Sequence, residues 1–216
     1  MPGGDPSQGL DFVTPLEIAL AVLIVFFSIV LHEISHGAVA YSFGDPTAKE
    51  RGRLTLNPFS HIDWVGTVAL PAALYLLGSG VVFGWAKPVP FDPRYFKHRT
   101  LGTLAVALAG PLTNFFLALL FAFLLKAIGA DQSSATKVLE LGLGINFFLA
   151  LFNLLPIPPL DGSKIVGALL PRTLQPYFFS VERAGIIIIV ALLFSGVLSK
   201  VLSPVYTYGL RWLTNF

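Results

Sequence analysis

A run of apolar residues from position 16 to position 43 constrains this chain more than any other feature of its sequence. Its only acidic or histidine side chains are Glu17, His32, Glu33 and His36. A helix over this run would extend about 42 Å, which exceeds the roughly 30 Å hydrocarbon core of a bilayer. Charged residues make up only 12% of the chain, against roughly 25% in a soluble domain, and could not cover a soluble core. The run therefore predicts a helix that crosses a membrane.

Several more segments have the same apolar character. Together they predict an all-α polytopic membrane protein with about five to six transmembrane helices. A shorter apolar stretch at 165–170 cannot span a bilayer, and the amphiphilic tail at 205–216 suits the membrane interface. A net charge of +2 gives no basis for nucleic-acid binding. The long apolar segments lie at 64–83, 101–128, 138–155 and 185–202.

Basic residues predict how the chain is oriented. No Lys or Arg precedes Lys49, whereas many lie between positions 49 and 99. Because cytoplasmic loops are rich in Lys and Arg, the N-terminus is expected outside the cytoplasm. Both flanks of segment 64–83 are basic, so we expect a re-entrant or partly extended (β) region between the first and second core helices. The alternative is a plain transmembrane helix kinked at Pro71.

The residues His32-Glu33-Ile34-Ser35-His36 form an H-E-x-x-H motif. Residues four apart share one face of a helix, so both imidazoles can bind one metal ion while Glu33 takes a proton from bound water. Ionisable residues at membrane depth are costly and usually functional. The chain has no cysteine, so His, Asp and Glu must supply the metal ligands. The alternative is a pair of pore-facing histidines beside a salt-bridged glutamate.

A catalytic zinc site needs a third protein ligand from elsewhere in the chain. Asp161 is the best placed, because three prolines before it end the apolar segment and force an extended stretch that can return to a neighbouring helix. The alternative is a solvated aspartate in a loop that ends a helix. The other histidine and aspartate candidates are His61, His98, Asp45, Asp63, Asp92 and Asp131.

Three motifs in this order resemble the site-2 protease family of intramembrane zinc metalloproteases, in its compact form without PDZ or CBS domains. They are His32-Glu33-x-x-His36, Gly110-Pro111-x-x-Asn114 and Asn153-x-x-Pro156…Asp161-Gly162. The resemblance implies one Zn²⁺ held by His32, His36 and Asp161, with Glu33 as the general base. It also implies a metal centre inside the membrane, near its cytoplasmic side.

The resemblance implies a function as well. An intramembrane zinc endopeptidase hydrolyses peptide bonds within or near transmembrane segments of membrane proteins, as in regulated intramembrane proteolysis. We expect residues 1–15 outside the cytoplasm, a metalloprotease core at 16–170 and C-terminal membrane helices at 171–216, in a prokaryotic cell membrane. The alternatives are a metal-ion transporter and a non-catalytic membrane protein that binds helices.

Further residues are candidates for the substrate site of such an enzyme. Asn153 could donate its amide to the oxyanion or to the substrate backbone, or could bond to another helix. Asn114 has the same two roles open, with the structural one favoured. Segment 81–90 could offer a strand edge to an extended substrate, which would put Phe83, Gly84 and Trp85 on the substrate path. Its alternative is a cytoplasmic loop with an interfacial tryptophan.

Overall fold

The chain folds into helices joined by short loops. A computed structural model describes residues 14–78, 84–129, 133–171, 173–180 and 182–215. Two 3₁₀ turns, at Pro58–His61 and Pro93–Tyr95, and one π-helical turn, at Trp64–Ala69, lie between the first two long helices. The α-helices are α1 (Pro15–Ser42), α2 (Thr47–Glu50), α3 (Leu70–Leu76), α4 (Arg99–Ile128), α5 (Ser134–Asn153), α6 (Asp161–Leu169), α7 (Gln175–Ser180), α8 (Glu182–Phe194) and α9 (Val197–Asn215).

Helix α1 has clear start and stop signals. At its N-terminus the hydroxyl of Thr14 accepts the N–H of Glu17, and the Glu17 carboxylate accepts the N–H of Thr14. This capping box satisfies two backbone donors that the helix leaves open. At the other end Gly44 adopts a φ of 98°, a conformation that favours glycine and turns the chain away. The predicted helix at 16–43 is confirmed to within one residue at each end.

Helix α4 is the centre of the bundle and packs against α5, α1 and α6. Small residues line its contacts, and Ala107, Gly110 and Ala118 are all buried. Within a membrane there is little hydrophobic drive between helices, so small side chains that permit close approach stabilise the packing. The α4–α5 interface continues to α9, where Leu213 joins Ala118 and Phe147 in one apolar cluster.

Three helices in the described residues are long and apolar enough to cross a bilayer. These are α1, α4 and α5, and a fourth span is reached if α8 and α9 count together. The predicted all-helical character is confirmed for the described residues, whereas the predicted count of five to six spans is not confirmed. The π-helical turn and α3 together cover Trp64–Leu76, which at about 1.5 Å per residue is roughly 20 Å and too short for a plain transmembrane helix.

The hydropathy of the apolar segment at 185–202 suggests one continuous helix, but the structure has a break within it. Helix α8 ends at Phe194, Gly196 adopts a φ of 71°, and α9 begins at Val197. The two helices meet at a bend of 75°. Hydropathy does not register this break, because a single glycine in the left-handed region redirects the backbone without adding polarity.

Residues 84–92 run without regular secondary structure along the outside of α1, and we call them the strap. Two backbone hydrogen bonds hold the strap to the preceding π-helical and 3₁₀ turns. Trp85 N–H donates to the carbonyl oxygen of Gly66 at 3.1 Å, and Lys87 N–H donates to that of His61 at 2.9 Å. At its end the Asp92 N–H donates to the Asp45 carboxylate at 2.6 Å. The described part of segment 81–90 forms no β-strand, and residues 81–83 lie outside the described residues.

Candidate metal centre

Three buried side chains from two helices meet in a triangle. The Nε2 atoms of His32 and His36, one turn apart on α1, are 3.1 Å from each other. The first residue of α6, Asp161, brings its Oδ2 atom to 3.0 Å from the His32 nitrogen and 3.1 Å from the His36 nitrogen. Each of the three residues is at most 6% exposed. The Pro-rich turn after α5 thus delivers a carboxylate to the face of α1 that carries both rings.

The hydrogen bonds behind the rings fix where the imidazole protons lie. The Nδ1 atom of His36 is 2.6 Å from the carbonyl oxygen of Val106 on α4, which can only accept. The proton of that ring is therefore on Nδ1, and Nε2 presents a lone pair to the triangle.

A longer chain of bonds fixes the proton of His32. The carbonyl of Gly142 accepts the amide N–H of Asn146 at 2.9 Å, so Asn146 turns its Oδ1 to Asn114. Asn114 then donates to Asn146 at 3.0 Å and to the carbonyl of Ser28 at 3.3 Å. Its own Oδ1 faces the Nδ1 atom of His32 at 2.6 Å. Because this oxygen can only accept, His32 also carries its proton on Nδ1 and points a lone pair at the triangle.

With both rings neutral, three electron-pair donors therefore face one another in a buried space. Such an arrangement is repulsive unless a cation is bound. Donors at about 2.0–2.1 Å from a tetrahedral zinc lie about 3.3–3.4 Å apart, close to the 3.0–3.1 Å seen here. The residues fit a zinc ion with two imidazoles and one carboxylate. Among the described residues, His32, His36 and Asp161 form the one group of three with this potential.

Lys164 holds the second oxygen of Asp161. Its ammonium nitrogen lies 2.8 Å from Asp161 Oδ1, one turn further along α6. This pairing leaves Oδ2 as the free donor and favours binding of the metal through one oxygen. The ammonium also lies 5.9 Å from the ring centre of Phe91 in the strap.

Glu33 lies beside the triangle and contacts the strap. Its side chain is half-buried, and its Oε2 atom accepts the backbone N–H of Val89 at 2.8 Å. One carboxylate oxygen is thereby held, while the residue sits on the same helical turn as both histidines.

The two asparagines predicted from the motifs are both engaged in hydrogen bonds. The side-chain amide of Asn114 is hydrogen-bonded to His32, Asn146 and Ser28. These bonds favour a structural role for Asn114 over a role in substrate binding. Asn153, at the end of α5, donates its amide to the carbonyl of Leu149 in its own helix at 2.9 Å.

Of the predicted substrate-path residues, Gly84 and Trp85 belong to the strap, and Phe83 lies outside the described residues. A methyl carbon on Gly84 would lie 2.9 Å from Cγ of Pro71, so the strap passes tightly over α3. The indole of Trp85 lies directly on Gly66, where a side chain could not fit.

The other candidate ligands serve the loops. His61 lies 2.9 Å through Nε2 from the carbonyl of Thr55. Asp63 caps the π-helical turn by accepting two backbone N–H groups. Asp45 is fully buried and accepts from Thr47 and from the strap. Hydrogen bonds from Arg94 to the half-buried carboxyl of Asp92 lower the pKa of that group. Asp131 lies outside the described residues.

Sequence reasoning missed several residues that contact this centre directly or through Asn114. Asn146 could have been found as an amide in an otherwise apolar helix, where a polar group is costly. Lys164 follows Asp161 by three residues, a spacing at which helical side chains meet. No sequence pattern could have indicated Val89, because it contacts Glu33 through its backbone N–H and not through its side chain.

The H-E-x-x-H motif lies on a helix that is long and apolar enough to cross a bilayer, and a second helix brings a carboxylate to its histidines. This combination defines a membrane metallopeptidase.

Comparison with known proteins gives the family. The profile of Peptidase family M50 matches residues 128–196. YwhC of Bacillus subtilis (strain 168), named as a zinc metalloprotease, is 36% identical over 196 residues, covering 87% of this chain and 86% of YwhC. The chain therefore belongs to peptidase family M50, the site-2 proteases, and is a zinc metallopeptidase.

Two further relatives carry the name of zinc metalloproteases. Rip2 of Mycolicibacterium smegmatis (strain ATCC 700084 / mc(2)155) is 31% identical over 88% of this chain and 74% of its own length. MJ0611 of Methanocaldococcus jannaschii (strain ATCC 43067 / DSM 2661 / JAL-1 / JCM 10045 / NBRC 100440) is 32% identical over 70% of this chain and 71% of its own length. No solved structure shows a significant match.

Proposed function

We propose that this metallopeptidase cleaves transmembrane segments of other membrane proteins, as in regulated intramembrane proteolysis. The observation that carries the proposal is the buried triangle of lone pairs at 3.0–3.1 Å, next to Glu33 on the same helical turn. Metal-dependent peptide hydrolysis needs a metal ion and a base within reach of one water molecule, and this arrangement supplies the ligands for the metal and the base.

Each polar residue then has a role. His32, His36 and Asp161 hold the zinc, which when bound makes water more acidic and polarises the scissile carbonyl. Glu33 accepts the proton of the attacking water and returns it to the leaving amine. Val106 and Asn114 keep the imidazole protons on Nδ1, so both Nε2 atoms stay available as ligands.

The surroundings of the site suit a membrane substrate. Apolar side chains on the outer faces of α1 and α4 are more than 60% exposed, among them Val22, Phe116 and Phe123. Such faces are stable against lipid. Trp64–Leu76 is too short to span and exposes Trp64 and Leu76, which supports a re-entrant element beside the site.

The basic residues around the strap and the loop after α1 support a site near the cytoplasmic face of a prokaryotic cell membrane. In this arrangement residues 1–15 lie outside, 16–170 form the catalytic core and 171–216 add the C-terminal membrane helices. A substrate segment, unfolded from its helix, would approach along Gly84 and Trp85. The side chain of Asn153, the last residue of α5, is a candidate contact for it.

The test uses the purified full-length protein in liposomes with a single-pass membrane protein as substrate. Glu33→Gln should retain zinc but lose cleavage, by at least about a thousandfold, because the base is removed and the ligands stay. Asp161→Ala should lose zinc as well as cleavage. Undiminished cleavage in Glu33→Gln would refute the assigned base. Zinc flux across the liposomes without cleavage would instead favour a transporter.

A further inference from the structure

The strap is hydrogen-bonded to Glu33 through a backbone N–H. The N–H of Val89 lies 2.8 Å from Oε2 of Glu33, on the turn of α1 that also carries His32 and His36. Hydrogen bonds to a carboxylate are stronger than those between neutral groups. This contact is therefore a charge-assisted hydrogen bond that joins the strap to α1 next to the metal ligands.

The approach of the strap depends on a glycine. A methyl carbon on Gly37, one turn after Glu33, would lie 2.9 Å from Cγ1 of Val89 and 2.9 Å from Cβ of Ala48. Val89 is 6% exposed, so its side chain is packed against α1 while its N–H meets the base. Only a residue without a side chain at position 37 permits this depth of packing.

The strap is anchored independently of Glu33. On one side Trp85 and Lys87 bond to the carbonyls of Gly66 and His61. On the other side Asp92 bonds to the buried carboxylate of Asp45. A flexible glutamate side chain has three rotatable bonds, whereas this backbone is fixed on both sides of Val89. The strap therefore positions the glutamate.

We propose that Val89 is a positioning residue for the general base, acting through its backbone N–H. The bond engages Oε2 of Glu33 and so orients the carboxylate, with Oε1 left to take the proton of the attacking water. This inference rests on the proposed function of Glu33. It adds that a strap next to the expected substrate path controls the geometry of the base.

The hydrogen bond between the Val89 N–H and Glu33 can be measured directly, because the residues on both sides of Val89 are prolines. Pro88 and Pro90 have no N–H, so Val89 carries the only exchangeable backbone amide among residues 88–90. Hydrogen exchange of that amide, followed by mass spectrometry on the full-length protein in nanodiscs, should be at least tenfold faster in Glu33→Ala than in the wild type. An unchanged rate would overturn the proposal, whether or not the protein cleaves peptides.

A kinetic test separates the N–H from the side chain. Val89→Pro removes the donor at a position whose neighbours already keep the backbone extended. We expect kcat to fall at least tenfold, with KM within threefold and zinc content unchanged, because a misplaced base affects the chemical step. Val89→Ala keeps the N–H and should lower kcat by no more than threefold.

The two variants together decide the matter. Equal losses of kcat in Val89→Pro and Val89→Ala would show that the packing of the side chain, and not the N–H, affects the chemical step. This result would overturn the proposal. Full kcat in Val89→Pro would do the same while leaving the assignment of Glu33 intact. Absence of cleavage in the wild type would refute the proposed function, and the exchange measurement would still decide whether the bond exists.

Discussion

Gly110 of α4 lies directly opposite the two imidazoles, and its substitution tests how the metal centre is built. A methyl carbon there would lie 2.5 Å from Nε2 of His32 and 2.5 Å from Nε2 of His36. Atoms of this kind pack at about 3.5 Å, so both rings or the helix would have to move by about 1 Å. Gly110→Ala therefore acts on two ligands at once without removing either.

The expected effect on zinc affinity is large. Metal–ligand distances tolerate deviations of about 0.2 Å, well below the displacement required. Loss of one supporting partner of a metal ligand typically costs 10–100-fold in affinity, and here two ligands move. We expect Gly110→Ala to bind zinc at least about 100-fold more weakly, or about 2.7 kcal/mol.

The fold should survive this substitution. Replacing a glycine inside a helix by alanine stabilises it by about 0.5–1 kcal/mol. Overpacking a buried contact costs about 1–3 kcal/mol. The net loss of folding free energy, about 0–2.5 kcal/mol, leaves α4 and its neighbours assembled.

Competition against a fluorescent zinc chelator in detergent measures the affinity, and circular dichroism monitors helix content. Gly144→Ala is the matched control, because within the described part of the chain a methyl carbon at Gly144 meets only the Tyr206 hydroxyl, at 2.8 Å, at the end of a flexible side chain. It should bind zinc like the wild type. If Gly110→Ala keeps wild-type zinc affinity and helix content, α4 does not set the position of the rings.

Three further predictions concern the supports of the metal. Asn146→Leu breaks the bond chain that orients Asn114, and should weaken zinc binding about tenfold in the same chelator competition; unchanged affinity would contradict the proton assignment. Lys164→Met frees the second oxygen of Asp161 and should also alter zinc affinity about tenfold, whereas Lys164→Arg should retain it. Removing the metal with a chelator should stop cleavage and lower the melting temperature. Adding zinc at about 100 times its Kd should restore about 2.7 kcal/mol of folding free energy. A melting temperature that does not respond to zinc would argue against a metal site in the folded state.

Local features of the site could be predicted from the sequence because they depend on helix geometry alone. The spacing of His32 and His36 puts both rings on one face of any helix. The length of the apolar runs fixed α1, α4 and α5 closely. The break at Gly196 was missed, because it depends on one backbone angle that hydropathy does not report.

Long-range contacts were harder to predict. From the residues alone, Asp161 was the best placed of several carboxylates, because the prolines before it direct the chain back towards a neighbouring helix, and the family resemblance implied the same ligand. The Asn114–Asn146 bond chain and the Val89 contact join separate elements whose order in space the sequence does not specify.

The sequence by itself determined a membrane-spanning chain with two imidazoles and a glutamate on one helical turn, because hydropathy and the helical repeat act over a few residues. Only the tertiary structure decided which carboxylate faces those rings, where their protons lie and what holds the base. These depend on helices meeting across Gly37 and Gly110, where the missing side chains let the strap and α4 come within contact of α1.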